Sequence, residues 1–170
     1  MEQDWRQQEE IWTELEEFPN YLVSNFGEVV NRRFNKSLSQ SRTGQGTLKV
    51  GLWQGDKQVT RSVRVLVADS FVPGRTDIYD TPIQLNGDPL DIRASNLAWR
   101  PRWFAWKFSR QFLDKQTINQ IGPIRDMETG DVYETVYDAG IVNGLLFTDI
   151  RRSIFMKDSC FPTFQRFEMA

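Results

Sequence analysis

The chain has no histidine and a single cysteine among its 170 residues. Histidine is the usual general base near neutral pH and the commonest nitrogen ligand for metals. Its absence excludes His-dependent triads, His-ligated zinc and any nuclease chemistry that needs an imidazole. The lone Cys160 excludes an intramolecular disulfide and a CxxC metal knuckle, and leaves the redox compartment open. Long apolar runs are also missing, and none reaches the length that spans a bilayer. The first residues are acidic, which does not suit a signal peptide. With nothing pointing to secretion or to a membrane, a cytoplasmic location is expected.

What is present suffices for a packed core: 39% hydrophobic and 13% aromatic residues exclude wholesale disorder. The length suits one domain, or two or three small modules. The net charge of −2 hides an uneven distribution. Residues 1–28 sum to −7 and residues 29–66 to +7. Residues 67–99 carry −3, residues 100–115 carry +4 and residues 116–170 carry −3. Two basic blocks on an acidic chain form an electrostatic footprint for phosphate. Ordinary solvation of exposed faces accounts for the same Lys and Arg equally well.

Residues 1–17 read as a helical or frayed acidic lead-in anchored by Trp5 and Trp12, and broken at Phe18-Pro19-Asn20. Two short strands, Tyr21–Ser24 and Glu28–Asn31, flank the turn signal Asn25-Phe26-Gly27. Residues 36–45 are polar and loop-like. Thr47–Trp53 alternates apolar and polar residues, turns at Gly55-Asp56 and returns through Lys57–Val63, the clearest hairpin in the chain. One of its faces is expected to show Lys49, Lys57 and Arg61. A short helix is expected over Arg64–Phe71, stopped at Val72-Pro73-Gly74. Asn86-Gly87-Asp88-Pro89 has the composition of a tight turn, and Ser95–Trp99 reads as a strand. From Arg102 the spacing of Phe104, Phe108 and Phe112 predicts a helix. These rings and the flanking Trp103 and Trp106 read as core rather than as base-stacking groups. Beyond Gly122-Pro123, a small hairpin around Glu128-Thr129-Gly130 precedes helices over Val136–Asn143 and Thr148–Phe155, with Gly144 as the stop between them.

Three of these segments, in order, resemble one family. Trp12 followed by Phe18–Val29 resembles the F-x-x-Y-x-V-S-N-x-G-x-V motif that opens phage-type HNH homing endonucleases. Val63–Pro73 with Ile83–Trp99 is similar to that family's HNH core. Thr129–Tyr133 with Ala139, Gly144 and Ile150 is similar to the helix-turn-helix repeat that closes many of its members. The resemblance implies an α+β protein with three parts: an N-terminal β region (1–62), a central ββα unit of HNH type (63–121) and a C-terminal helix-turn-helix module (122–170).

The resemblance also places the family's active-site positions. Its first core His falls on Arg64, one metal-ligand position on Ile83, the general-base His on Gln84 and the second metal-ligand Asn on Ala105. The structural Asn falls on Asn96, so the frame is intact. Scaffold positions are kept at Leu66, Val67, Ala68, Phe71, Gly87, Leu97 and Trp99. Such a nuclease needs a divalent ion and a neutral imidazole. Isoleucine and alanine offer no lone pair to a hard cation, and glutamine is not basic at neutral pH. The expectation is a catalytically inactive relative with no cofactor, in the host cytoplasm if phage-encoded.

The implied partner is double-stranded DNA. Candidate contacts are Arg32, Arg33, Lys36 and Arg42 around the polar loop, and Lys49, Lys57, Arg61 and Arg64 on or beside the hairpin. Arg100, Arg102, Lys107 and Arg110 accompany the aromatic helix, and Arg151 and Arg152 fall on the second C-terminal helix. Contacts of this kind go mostly to phosphate. A role as transcription or accessory factor is expected. The rival readings are a module that binds RNA polymerase or a host enzyme, and a nuclease with a metal site relocated to Asp88 or Asp91.

Overall fold

The structure is a computed structural model that describes residues 9–44, 46–113 and 121–170. Trp5 therefore lies outside the described residues. The chain divides into two compact units, Met1–Arg75 with Pro89–Leu97 and Thr76–Asp88 with Ala98–Ala170. No helix among the described residues is long and apolar enough to cross a membrane.

In the first unit, strands β1 (Trp12–Leu15), β2 (Phe18–Ser24), β3 (Val29–Asn31) and β4 (Lys36–Ser37) form an antiparallel sheet in chain order. Strands β5 (Ser41–Arg42), β6 (Leu48–Gln54) and β7 (Lys57–Ser62) form a second one. Helix α1 (Val63–Phe71) follows directly. Phe18, Tyr21, Val23 and Val29 from the first sheet, Val50 and Leu52 from the second, and Val63, Leu66, Val67 and Ala68 from α1 are buried. The Tyr21 hydroxyl accepts the Trp53 N–H at 3.0 Å, which ties one sheet to the other.

The turn Ser24–Gly27 explains the opening motif residue by residue. Buried Ser24 accepts the N–H groups of Phe26 and Glu28 on its Oγ. Asn25 accepts the Ile11 N–H at 2.8 Å and donates to the Glu9 carbonyl at 3.1 Å. Gly27 has φ +94°, and a Cβ there would lie 2.5 Å from Ile92 Cδ1. Only glycine meets both demands.

The lead-in differs from its sequence reading, because Trp12–Leu15 is a strand and not a helix. Its only buried side chain is Leu15, so a helix here would have no apolar stripe to bury. Pairing along β2, from Trp12 opposite Ser24 to Leu15 opposite Phe18, satisfies the backbone instead. The polar loop likewise contributes the two-residue strands β4 and β5.

In the second unit, β8 (Thr81–Gln84) pairs with β9 (Leu97–Arg100), and α2 (Arg102–Gln111) follows. Strands β10 (Ile124–Asp126), β11 (Val132–Tyr133) and β12 (Phe167–Met169) form an antiparallel sheet with β10 in the middle. Helices α3 (Val136–Asn143) and α4 (Phe147–Met156) cover a core of Ile124, Val136, Ala139, Leu145, Phe147, Ile150, Ile154, Cys160 and Phe167. Thr135 caps α3 by accepting the Asp138 N–H at 3.1 Å and donating to the Asp138 carboxylate at 2.6 Å. Gly144 ends α3 with φ 62°. At Gly140 a Cβ would lie 2.4 Å from the Phe147 ring, so glycine lets α3 and α4 close on each other.

Candidate nucleic-acid interface

Most of the predicted basic residues of the first unit lie on its surface. Arg33, Lys36, Arg42, Lys49 and Lys57 are exposed, and no carboxylate pairs with them among the described residues. Arg33 belongs to the β3–β4 connection, Lys36 to β4, Arg42 to β5, and Lys49 and Lys57 to the β6–β7 hairpin. Arg33 sits 5.6 Å over the exposed Phe34 ring.

Two other arginines are engaged within the unit. Arg32 pairs with Glu14 at 2.5 Å, and Arg61 with Glu17 at 3.4 Å. The guanidinium of Arg61 also lies 5.3 Å over the Phe18 ring. Glu14 on β1 and Glu17 in the turn after it thus supply counter-charges to two arginines of the basic block that follows. Arg64 on α1 is half-buried, and burial lowers its pKa from the ordinary arginine value.

The expected common face of Lys49, Lys57 and Arg61 does not form. In the β6–β7 register Lys49 faces Ser62, Val50 faces Arg61 and Gln54 faces Lys57. Side chains alternate along a strand. Lys57 and Arg61 therefore share the face of Val50 and Leu52, while Lys49, Trp53, Gln58 and Thr60 share the other.

The loop from Pro89 to Leu97 completes the unit. Buried Asn96 donates its Nδ2–H to the Asp91 carbonyl at 2.8 Å. Arg93 holds both carboxylate oxygens of Asp91, at 2.7 and 2.6 Å, and this pairing raises the Arg93 pKa.

In the second unit the ligand positions named by the resemblance form part of a core. Ile83 on β8 and Ala105 on α2 belong to one buried apolar cluster with Phe104, Phe108 and Leu146. Gln84, next along β8, is buried and its carbonyl accepts the Gly87 N–H at 3.0 Å. That bond closes the Asn86-Gly87 turn, where Asn86 also accepts the Asp88 N–H at 3.0 Å. Gly87 has φ +75°, and a Cβ there would meet the Phe112 ring at 2.4 Å. Hydrocarbon side chains offer a divalent ion no lone pair, so these residues do not fit the metal that the resemblance implies. Among the described residues no group of three His, Cys, Asp or Glu side chains gathers elsewhere to hold one.

The basic residues of this unit divide by role. Arg100 is half-buried, which lowers its pKa, and it donates to the carbonyls of Trp99, Asn143 and Gly144 at 2.9 to 3.3 Å. It thereby ties β9 to the C-terminal end of α3, a structural use that the sequence did not signal. Arg102, Lys107 and Arg110 lie exposed on α2. Arg102 pairs with Asp80 at 3.4 Å. On α4, Arg151 is half-buried and the exposed Arg152 pairs with Asp158 at 2.7 Å.

The aromatic residues of α2 also divide. Phe104 and Phe108 are core as expected, and Phe112 is partly buried against both core clusters. Trp103 and Trp106 instead face solvent. The helical period carries the signal: Phe104, Ala105 and Phe108 define the inward face and leave both tryptophans on the other.

Two known proteins are similar to this chain. Over 94 residues the chain is 42% identical to an uncharacterized HNH endonuclease of Acanthamoeba polyphaga mimivirus, a match that covers 53% of the chain. The chain spans only about a quarter of that relative's length, at 23%. No family model matches the chain. Its fold is similar to that of the HNH homing endonuclease I-HmuI in a structure of DNA binding and cleavage, with a TM-score of 0.56 over 94% of this chain and 98% of the other. The two sequences are 22% identical, so this second likeness is one of fold.

Proposed function

We propose that this chain is a DNA-binding protein built on the scaffold of HNH homing endonucleases, one that holds duplex DNA without cutting it. Its relative is named as an endonuclease, and the solved structure of the same fold is described as binding and cleaving DNA. The observation that carries the reading is the contrast between the two units. The positions where the resemblance expects metal ligands, Ile83 and Ala105, are packed into an apolar cluster, whereas five cations of the first unit, Arg33, Lys36, Arg42, Lys49 and Lys57, are exposed. Phosphate contact needs only the second feature; metal-assisted hydrolysis needs the first to be polar. In this reading α3 and α4 act as a helix-turn-helix module, with Arg152 at its surface. The chain serves as a transcription or accessory factor.

The test is duplex binding measured against salt, together with plasmid cleavage. Binding that weakens steeply as salt rises is expected, and charge reversal at Arg33, Lys36, Lys49 and Lys57 should abolish it. Supercoiled plasmid incubated with magnesium or manganese should remain intact. Absence of duplex binding at low salt refutes the DNA reading, and a metal-dependent nick refutes the loss of cleavage.

A further inference from the structure

The outward face of α2 combines rings and charge in a way that phosphate binding alone does not require. Arg102, Trp103, Trp106, Lys107 and Arg110 occupy it, and the helix contains no acidic residue. Trp103 and Trp106 are 53% and 60% exposed. Each ring has a cation one turn further along: Lys107 Nζ lies 5.4 Å from the Trp103 centroid, and the Arg110 guanidinium 4.7 Å from that of Trp106. The aromatic surface continues beyond the helix. Phe161 lies 5.2 Å from Trp103, and Phe164, itself 64% exposed, lies 6.2 Å from Phe161. Among the described residues the nearby carboxylates stand outside the helix: Asp80 beside Arg102, Asp149, whose half-buried carboxyl feels the charges of Arg152 and Lys107, and Asp158, which lines one cavity with Asp149 and Phe161 and pairs with Arg152.

We propose that this face is a platform for unpaired nucleotides, on which bases stack against Trp103, Trp106 and Phe164 while Arg102, Lys107 and Arg110 meet the phosphates. Every base has a π-face, so a row of rings binds a single strand without regard to sequence, and cations beside the rings meet the backbone of the same nucleotides. A paired duplex has its bases already stacked on one another and uses only the cations. An acidic peptide would likewise use the charge and leave the rings idle. The proposal rests on nucleic-acid binding as the chain's role, but it assigns a different ligand and different residues from the duplex contacts of the first unit.

The experiment measures binding of the full chain to a short oligothymidylate and to a duplex, by affinity and by tryptophan emission. The wild type should bind the oligonucleotide with quenched emission. Trp103→Leu with Trp106→Leu should lose the quench and about tenfold or more in affinity for the single strand, with duplex affinity unchanged within about twofold. Trp53→Leu, which removes an exposed ring of the first unit, should change neither. Lys107→Glu with Arg110→Glu should weaken oligonucleotide binding and flatten its salt dependence, which keeps a charge-based check if the tryptophan variant melts early. Oligonucleotide binding that survives loss of both rings overturns the proposal, and so does equal weakening on duplex and single strand. A wild type that binds duplex but ignores the oligonucleotide also overturns it and leaves the duplex reading standing. A wild type that binds neither refutes both.

Discussion

Cys160 shows how strongly burial bears on reactivity. It is fully enclosed, and desolvation, helped by the negative charge of Asp149, pushes its thiol up from 9.0 to about 12. Only the thiolate is a nucleophile, so iodoacetamide at pH 8 should label the native chain slowly and the urea-unfolded chain quickly. The folded pKa lies above the unfolded one. The folded state therefore keeps a proton that the unfolded state releases between pH 9 and about 12, and stability falls as pH rises through that window. The slope from this group is on the order of 1 kcal/mol per pH unit. Urea titrations across the window should show that extra slope in the wild type and not in Cys160→Ala; equal slopes would place the alkaline loss elsewhere. Gly27 is constrained by both backbone and space. Gly27→Ala should cost about 2 kcal/mol or more in urea unfolding, from the φ of +94° and from the Ile92 contact. Adding Ile92→Ala should not restore the loss, because the backbone strain remains. Full recovery in the double variant would show that the steric contact is the whole effect.

At the scale of elements, β8 and α2 decide what the core can tolerate. Ile83→Asn with Ala105→Asn puts amides back at both expected ligand positions. The apolar cluster around them contains Phe104, Phe108 and Leu146, whose side chains offer no hydrogen-bond partner. A melting experiment should register a loss of about 2–4 kcal/mol, with no gain in plasmid nicking; a variant as stable as the wild type would mean that the cluster readily admits polar groups.

The elements themselves were largely legible. The 2-residue period of β6 and β7, the apolar spacing of α2, and Gly144 between α3 and α4 are local signals, and each stands where it was read. β1 was not legible, because its strand character comes from β2 beside it and not from its own acidic residues. β12 was missed for the same reason: three residues carry no readable period, and pairing with β10 makes them a strand. At the candidate site, charge identified Arg33, Lys36, Arg42, Lys49 and Lys57 as surface cations. It gave no sign that Arg100 would bind the end of α3, since that use depends on contacts distant in sequence.

For the molecule as a whole, segregated charge matters more than net charge. The five exposed cations of the first unit that lack carboxylate partners among the described residues set the salt dependence of duplex binding. If each meets one phosphate, log affinity should fall against log salt with a slope of about −4 to −5. A slope near zero would mean that the cations do not meet the backbone at all. The ion pairs of Glu14 and Glu17 modify this picture. Arg32 and Arg61 are paired with Glu14 and Glu17 at the surface, so a phosphate that engages them competes with a tethered carboxylate as well as with dissolved anions. The chain carries part of its own ionic atmosphere, at a local concentration that dilution and added salt barely change. Contacts made through those two arginines would then strengthen little when salt is withdrawn, and Glu14→Gln with Glu17→Gln would release them at constant ionic strength.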